Sequence, residues 1–298
     1  MSNRIEYLLP ERIGSDKPIW IDPVGGLGDI IMLSTALKRS HENYGRKFNL
    51  SRRTRYTEFF IGHPAIEEIG NPPEDSDIVC NDYWSRPDFN DVRNKALNIV
   101  LKIFGVTESN DDALYMVESK TDEPTNLLLK NIPWNNKRTV VISFSSESPR
   151  KMMHPMKWHF IVEKLLAQQC MVIQVGNYGD IPIKGAYSLL GVTTPMQVCE
   201  ILKKSDLVIT LDSYIMHAAK LTNTPTIALF GPTEPERYGY NGHICLQANK
   251  NQCPHENECL GPNVPENYST MCPLQDRHCM NSFDENKIVD IAMTILNK

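Results

Sequence analysis

An α/β fold built on two parallel sheets is the class this sequence predicts, and three observations carry the prediction. Short runs of apolar and β-branched residues alternate along the chain with segments of helical spacing, the pattern of buried parallel strands covered by helices on both faces. The chain has 298 residues, which fits roughly two domains of about 150. A polar, turn-forming stretch, Pro133-Trp134-Asn135-Asn136-Lys137, interrupts the alternation near the middle, and a fresh apolar run begins just after it. The expectation is two Rossmann-like domains, residues 1–135 and 136–298, facing one cleft. In such folds ligands bind at the carboxyl ends of the strands.

Taken in order, the first half has a polar leader and then Pro18 to Val24, a short apolar strand followed by Gly25-Gly26-Leu27-Gly28-Asp29. Apolar residues recur at helical spacing from Ile30 to Leu37, so Asp29 falls at a helix start. Further strands are expected near Phe48 to Ser51 and Asp77 to Cys80, with helices near Thr57 to Ile61 and Val92 to Phe104. In the second half, strand Thr139 to Phe144 leads through Ser145 and Ser146 to a helix from Lys157 to Gln168. Strand Met171 to Val175, helix Pro195 to Lys203 and strand Leu207 to Leu211 follow, then helix Tyr214 to Thr222 and strand Thr226 to Phe230. An amphipathic helix, Asp284 to Leu296, ends the chain.

Composition narrows the function classes. Hydrophobic residues make up 41% and charged residues 22%, which argues against a disordered or fibrous protein. The net charge of -5 gives no overall reason to expect nucleic-acid binding. One local exception is the run Lys38, Arg39, Arg46, Lys47, Arg52, Arg53 and Arg55, opposed only by Glu42. It reads either as a solvated helix end and loop or as a surface for an acidic ligand. The leader lacks the apolar core of a signal peptide, and no apolar run is long enough to span a bilayer, so a cytoplasmic location is expected. In a reducing compartment the eight cysteines read as packing residues or metal ligands rather than disulfides.

The glycine turn invites comparison with the dinucleotide fingerprint. Aligning Gly26 and Gly28 to its first two glycines puts Ile31 where a third small residue belongs, and no acidic residue follows about 20 positions on, which disfavours a nicotinamide site. Gly26 and Gly28 instead let a substrate approach the backbone, with Asp29 at the tip as either a dipole-favoured helix-start residue or a general base. Ser145, Ser146 and Lys157 offer two hydroxyls and an ammonium to phosphate oxygens. Asp212-Ser213 sits between a buried strand and a helix carrying His217, a natural anion turn, with His217 either a donor to the ligand or a packing residue.

Cys253, Cys259, Cys272 and Cys279 fall in a loop segment with no obvious core, a candidate tetrahedral site for structural zinc or iron. The spacing leaves free or loosely paired thiols as the alternative. Asp75-Ser76-Asp77 has the form of a metal-binding acidic triplet but precedes its strand and follows Pro72-Pro73, which reads as a surface turn.

Three of these motifs together resemble glycosyltransferase family nine, the family of the ADP-heptose heptosyltransferases. The first is Gly28-Asp29-Ile30-Ile31 with Leu33 to Leu37. The second is Asp212-Ser213 through Met216-His217-Ala218-Ala219, continuing to Ala228-Leu229-Phe230-Gly231-Pro232-Thr233. The third is the tail with Cys272-Pro273 and Cys279-Met280. The resemblance implies a GT-B architecture, with the acceptor held mainly by the first domain and the nucleotide-sugar by the second. It makes Asp29 the base, with Gly26, Gly28, Arg52 and Arg53 on the acceptor side. Ser145, Ser146, Lys157, Asp212, Ser213, Tyr214 and His217 fall to the donor side. Tyr214 stands where the family usually carries glycine, which implies a different turn shape or a direct contact with the donor. The activity implied is inverting transfer of a heptose from ADP-heptose to a lipopolysaccharide-core or related glycan, without a catalytic cofactor or metal and with peripheral contact at the inner membrane. Transfer to a protein side chain and a non-catalytic scaffold are the alternatives.

Overall fold

The computed structural model describes residues 3–14, 16–54, 56–107, 110–117, 122–134, 138–250, 253, 259, 271, 272, 275 and 277–298. Arg55 of the basic run, Asn135, Asn136 and Lys137 of the expected boundary, and Pro273 of the tail motif lie outside them. The chain forms two compact units, Met1–Glu118 and Ser119–Lys298.

The first unit contains β1 (Asn3–Ile5), α1 (Pro10–Ile13), β2 (Ile19–Ile21), α2 (Leu27–Tyr44), β3 (Phe48–Ser51), β4 (Ile66–Gly70), β5 (Asp77–Val79) and α3 (Ala96–Ile103). Its sheet runs β1-β5-β2-β3-β4 with every pair parallel. β2 is central and buried at all three positions, which is why it reads as a continuous apolar run rather than an alternating one. α2 is far longer than the Ile30 to Leu37 core visible in the sequence. It begins at Leu27 and ends where Gly45 takes the left-handed conformation at φ 67°, the geometry that stops a helix at low cost.

β1, α1 and β4 were not expected. They are short edge elements whose residues carry little periodic signal. Of the acidic triplet, Asp75 lies in an exposed turn as expected, while Asp77 is the buried first residue of β5, ion-paired to Arg12 of α1 and to Lys17 at 3.1 Å each.

The second unit contains α4 (Glu123–Asn131), β6 (Thr139–Ser143), α5 (Pro155–Ala167), β7 (Met171–Gly176), β8 (Tyr187–Leu190), α6 (Pro195–Lys203), β9 (Leu207–Leu211) and α7 (Tyr214–Leu221). It continues with β10 (Thr226–Phe230), α8 (Pro235–Tyr238), β11 (Ile244–Gln247), α9 (His278–Asn281) and α10 (Glu285–Leu296). Its sheet, β11-β10-β9-β6-β7-β8, is again parallel throughout. β6, β9 and β10 are buried at every position. The units divide ahead of the Pro133 stretch, and Tyr187 Oη donates to Asn131 O at 3.1 Å, tying α4 to β8. Among the described residues no helix is long and apolar enough to cross a membrane.

α5 begins at Pro155, two residues before Lys157, with the His154 ring accepting from Met156 N at 3.2 Å. Proline at the first helical position is pre-set for the helix and forfeits no hydrogen bond. That start places Trp158, fully buried, against Phe144 with ring centroids 5.5 Å apart. Trp158→Ala should therefore destabilise the second unit by about 3–5 kcal/mol, read as a lowered urea midpoint. A shift below about 1 kcal/mol would mean that the site collapses around the vacancy.

Candidate active site

Each sheet gathers a set of chemically capable residues at its carboxyl edge. In the first unit, Ile21 pairs with Val79 and with Leu50, so the chain leaves β2, β3 and β5 at one level. The turn after β2 carries Gly26 and leads into the first turn of α2 with Gly28 and Asp29, and the turn after β3 carries Arg52 and Arg53. Gly26 is the N-cap of α2, and its N–H donates to Asp29 Oδ2 at 2.7 Å. The helix-start reading of Asp29 is thus met, because its carboxylate caps α2.

The basic run is mostly spent on structure. Lys38 pairs with Glu42 and lies over the Tyr115 ring, and Arg39 binds Asp111 and the carbonyls of Asp111 and Ala113. Arg46 donates to Lys17 O, and Arg52 Nε donates to Ile69 O at 3.1 Å. Arg52 and Arg53 remain exposed at the edge.

In the second unit, Ser143 pairs with Thr210 and Thr210 with Ala228, which brings Ser145, Ser146, Asp212, Ser213 and Thr233 to one edge. Asp212 is the centre of the cluster. Its Oδ2 accepts from Lys151 Nζ at 2.7 Å and from the Thr233 hydroxyl at 2.7 Å, with all three residues buried. Burial alone would raise the Asp212 carboxyl, but the Lys151 ammonium, its hydrogen bond and that of Thr233 outweigh it and hold the group ionised below its ordinary range. Ser213 opens α7 without a side-chain cap, so its hydroxyl, 3.4 Å from Thr210 Oγ1, is not drawn back onto the helix. Ser146 Oγ accepts from Ser148 N at 3.2 Å, shaping the loop that carries Arg150 and Lys151.

Three expected donor residues are placed otherwise. Lys157 turns away from this edge: its Nζ donates to Phe283 O at 2.7 Å and pairs with Glu285 at 2.8 Å, tying α5 to α10. The ammonium at the strand-end turn is Lys151, which the sequence reading missed. Its signal was Pro155, which marks the helix start and leaves Arg150-Lys151 in the preceding loop. Tyr214 points back toward α6, with its hydroxyl donating to Pro195 O at 2.7 Å beside Cys199 Sγ at 3.6 Å. The bulky ring therefore fills helix–helix space and does not narrow the turn. His217 is buried with Nδ1 2.6 Å from the Tyr240 hydroxyl.

Burial, ahead of the opposing pull of Asp212, lowers His217 to about 4, and burial likewise lowers His63 in the first unit to about 4. Both rings are neutral near pH 7. Because the folded rings resist a proton that the unfolded chain takes up near pH 6.5, stability is full above that pH and falls as pH drops toward 4. The expected slope is about 1.4 kcal/mol per pH unit for each ring, checked by urea unfolding of wild type and His63→Gln between pH 7 and 4.5. A wild-type stability independent of pH over that range would contradict it.

Two of the four clustered cysteines, Cys259 and Cys279, lie near the same edge. Arg150 donates to Cys259 O at 3.1 Å and Cys259 Sγ at 3.5 Å, and a Cβ placed on Gly231 would come within 3.5 Å of Cys279 Sγ. Burial raises Cys259, and it raises Cys279 to about 11, with Cys253 and Cys272 adding to both shifts. Cys253, Cys259, Cys272 and Cys279 all lie among the described residues. Among the described residues, however, no group of three or more His, Cys, Asp or Glu side chains is gathered to hold a metal ion. Cys170 and Cys199 are buried packing residues as expected, while Cys80 and Cys245 are partly buried.

The family profile described as glycosyltransferase family 9 (heptosyltransferase) matches residues 108–266, more than half of the chain. Sequence comparison with curated proteins finds no match. Among solved structures, the dodecameric iron-containing heptosyltransferase TibC of enterotoxigenic E. coli, in complex with ADP-D-β-D-heptose, aligns with a TM-score of 0.71 at 16% identity over 95% of this chain and 77% of that one. A family 9 glycosyltransferase from Veillonella parvula aligns at 0.70 with 13% identity, over 94% of this chain and 97% of that one. The ADP-heptose lps heptosyltransferase II of E. coli aligns at 0.65 with 12% identity, over 94% and 98%. At such identities the likeness is one of fold, the GT-B architecture of two α/β units each built on a parallel sheet.

Proposed function

The chain belongs to glycosyltransferase family 9, the heptosyltransferase family, and from that premise we propose that it moves a heptose from ADP-heptose, with inversion, onto a lipopolysaccharide-core or related glycan. The observation that carries the reading is the buried Lys151–Asp212–Thr233 cluster beside the N-terminus of α7 and the Ser145–Ser146 turn. A buried ammonium next to unsatisfied helix N–H groups suits a diphosphate, whose charge grows as the glycosidic bond breaks.

In the proposed reaction Asp29 takes the proton of an acceptor hydroxyl while that oxygen forms its bond to the anomeric carbon from the face opposite the diphosphate. The bond from that carbon to the diphosphate oxygen breaks with its electron pair. Lys151 and the first N–H groups of α7 receive the departing charge, and the hydroxyls of Ser145, Ser146 and Ser213 contact phosphate oxygens. Asp212 holds Lys151 in place, while Tyr214 and His217 set the position of α7 through Pro195 and Tyr240. Positive charge is already supplied at the diphosphate, so the reading requires no divalent ion there, and turnover should survive chelation by EDTA. Arg52 and Arg53, on the same edge as Asp29, suit an anionic acceptor. A cytoplasmic location belongs to the same proposal and is checked by cell fractionation.

Calorimetric titration with ADP followed by turnover of ADP-heptose tests the reading. Micromolar binding and sugar transfer are expected. If neither ADP nor another nucleotide binds, the chain is a scaffold that keeps the fold without the chemistry. Parallel assays with core glycan and with protein acceptors decide the acceptor class.

A structural zinc or iron at Cys253, Cys259, Cys272 and Cys279 completes the proposal. Its support is the ligand chemistry of four cysteines toward zinc or iron and the iron content of TibC. Elemental analysis of untagged protein should find about one equivalent per chain. A trace amount would remove the metal from the proposal without touching the transfer reaction.

A further inference from the structure

The turn between β2 and α2 is held from outside by a residue that belongs to neither element. Asn81, just past Cys80 in the chain leaving β5, is fully buried, and both ends of its amide are used on one residue. Its Oδ1 accepts from Val24 N at 2.8 Å and its Nδ2 donates to Val24 O at 3.0 Å. Only a side chain with one acceptor and one donor at that spacing satisfies both backbone groups. Aspartate would face the Val24 carbonyl with an oxygen, and an apolar residue would leave two polar groups unpaired.

The next residue, Gly25, has φ +92°, a conformation that side chains rarely adopt. A Cβ there would meet the Asp29 side chain directly, at 2.7 Å from Cγ and 2.9 Å from Cβ. The residue after that, Gly26, gives its N–H to Asp29 Oδ2 at 2.7 Å. Three successive residues therefore act on one carboxylate: Val24 is anchored, Gly25 leaves room, and Gly26 donates. An N3 aspartate of an ordinary helix needs only the last of these.

We propose that Asn81 and Gly25 are positioning residues that hold the Asp29 carboxylate in a single orientation for proton abstraction; the proposal rests on Asp29 being the base. Neither residue touches the reacting atoms. Asn81 fixes the height of the turn against the sheet, and the bare Cα of Gly25 lets the carboxylate lie back on Gly26 N–H instead of swinging outward. The arrangement removes rotamer freedom before the acceptor arrives, which is where a misplacement of about 1 Å can cost about 100-fold in rate.

The test uses the whole 298-residue chain carrying Gly25→Ala, Asn81→Ala, Asp29→Asn and the double variant Gly25→Ala with Asp29→Asn. Each is measured for kcat, donor KM, ADP affinity and thermal midpoint. Gly25→Ala and Asn81→Ala should lower kcat by about 100-fold while donor KM and ADP affinity stay within about two-fold, a split that general unfolding would not produce. Gly25→Ala should cost nothing further once Asp29 is already asparagine, because its effect passes through that carboxylate. Folded Gly25→Ala and Asn81→Ala proteins with kcat within about three-fold of wild type would overturn the proposal, as would an equal Gly25→Ala loss with and without Asp29. Full activity in Asp29→Asn would show instead that the base assignment itself has failed, and the positioning proposal would fall with it.

Discussion

Asp29→Asn is expected to lower kcat by about 10²- to 10⁴-fold with ADP affinity and fold unchanged. Asparagine is the informative substitution because Asp29 has two jobs. Its Oδ2 accepts from Gly26 N–H at the start of α2, and an asparagine carbonyl oxygen can accept that same bond. What asparagine cannot do is take a proton at neutral pH. Asp29→Ala removes both functions and should add a stability loss of about 1 kcal/mol from the missing cap. Equal rate losses in the two variants, with a stability loss only in alanine, separate the base from the cap. An Asp29→Asn enzyme that turns over like wild type would sink the base and leave only the cap.

Lys151→Met carries the second large effect, a fall in donor kcat/KM of about 10²- to 10³-fold. The variant needs a control, because Asp212 is 3% exposed and would be left ionised in the interior with the Thr233 hydroxyl still donating to it. Breaking a buried pair from one side costs about 3–5 kcal/mol. The double variant Lys151→Met with Asp212→Asn removes both charges. It should regain much of that stability while staying as inactive as Lys151→Met alone. Lys157→Met makes the opposite case. Its partners are Phe283 O and Glu285, so it should loosen α10 yet leave donor turnover within about three-fold. If Lys157→Met abolished turnover and Lys151→Met did not, the donor side would have been assigned to the wrong ammonium.

These two lysines show how far the sequence could be read. Buried parallel strands announce themselves, since β2, β6, β9 and β10 are apolar at nearly every position and need no partner to be recognised. Their carboxyl ends then locate Gly26, Asp29, Ser145, Asp212 and Ser213 by connectivity alone. Short edge elements such as β1, α1 and β4 carry no such run and stayed invisible. Side-chain direction was equally out of reach. Tyr214 reads as a sign of a different turn shape or of a donor contact, but the first turn of α7 sends its ring back to Pro195 and Cys199. His217 reads equally as a ligand group or a packing residue, and the fold decides for packing against Tyr240.

The sequence by itself determined the α/β class, the two parallel sheets, the family and the turns at which chemistry could occur, because these follow from local burial patterns and from glycines and helix starts a few residues apart. Only the tertiary structure decided which charged group stands at each turn. Lys151 reaches Asp212 across 61 residues of sequence and Asn81 reaches Val24 across 57. Such partners are chosen by strand order and loop path, and by the cost of leaving a buried charge or amide unpaired, none of which is written in the neighbours of the residue itself.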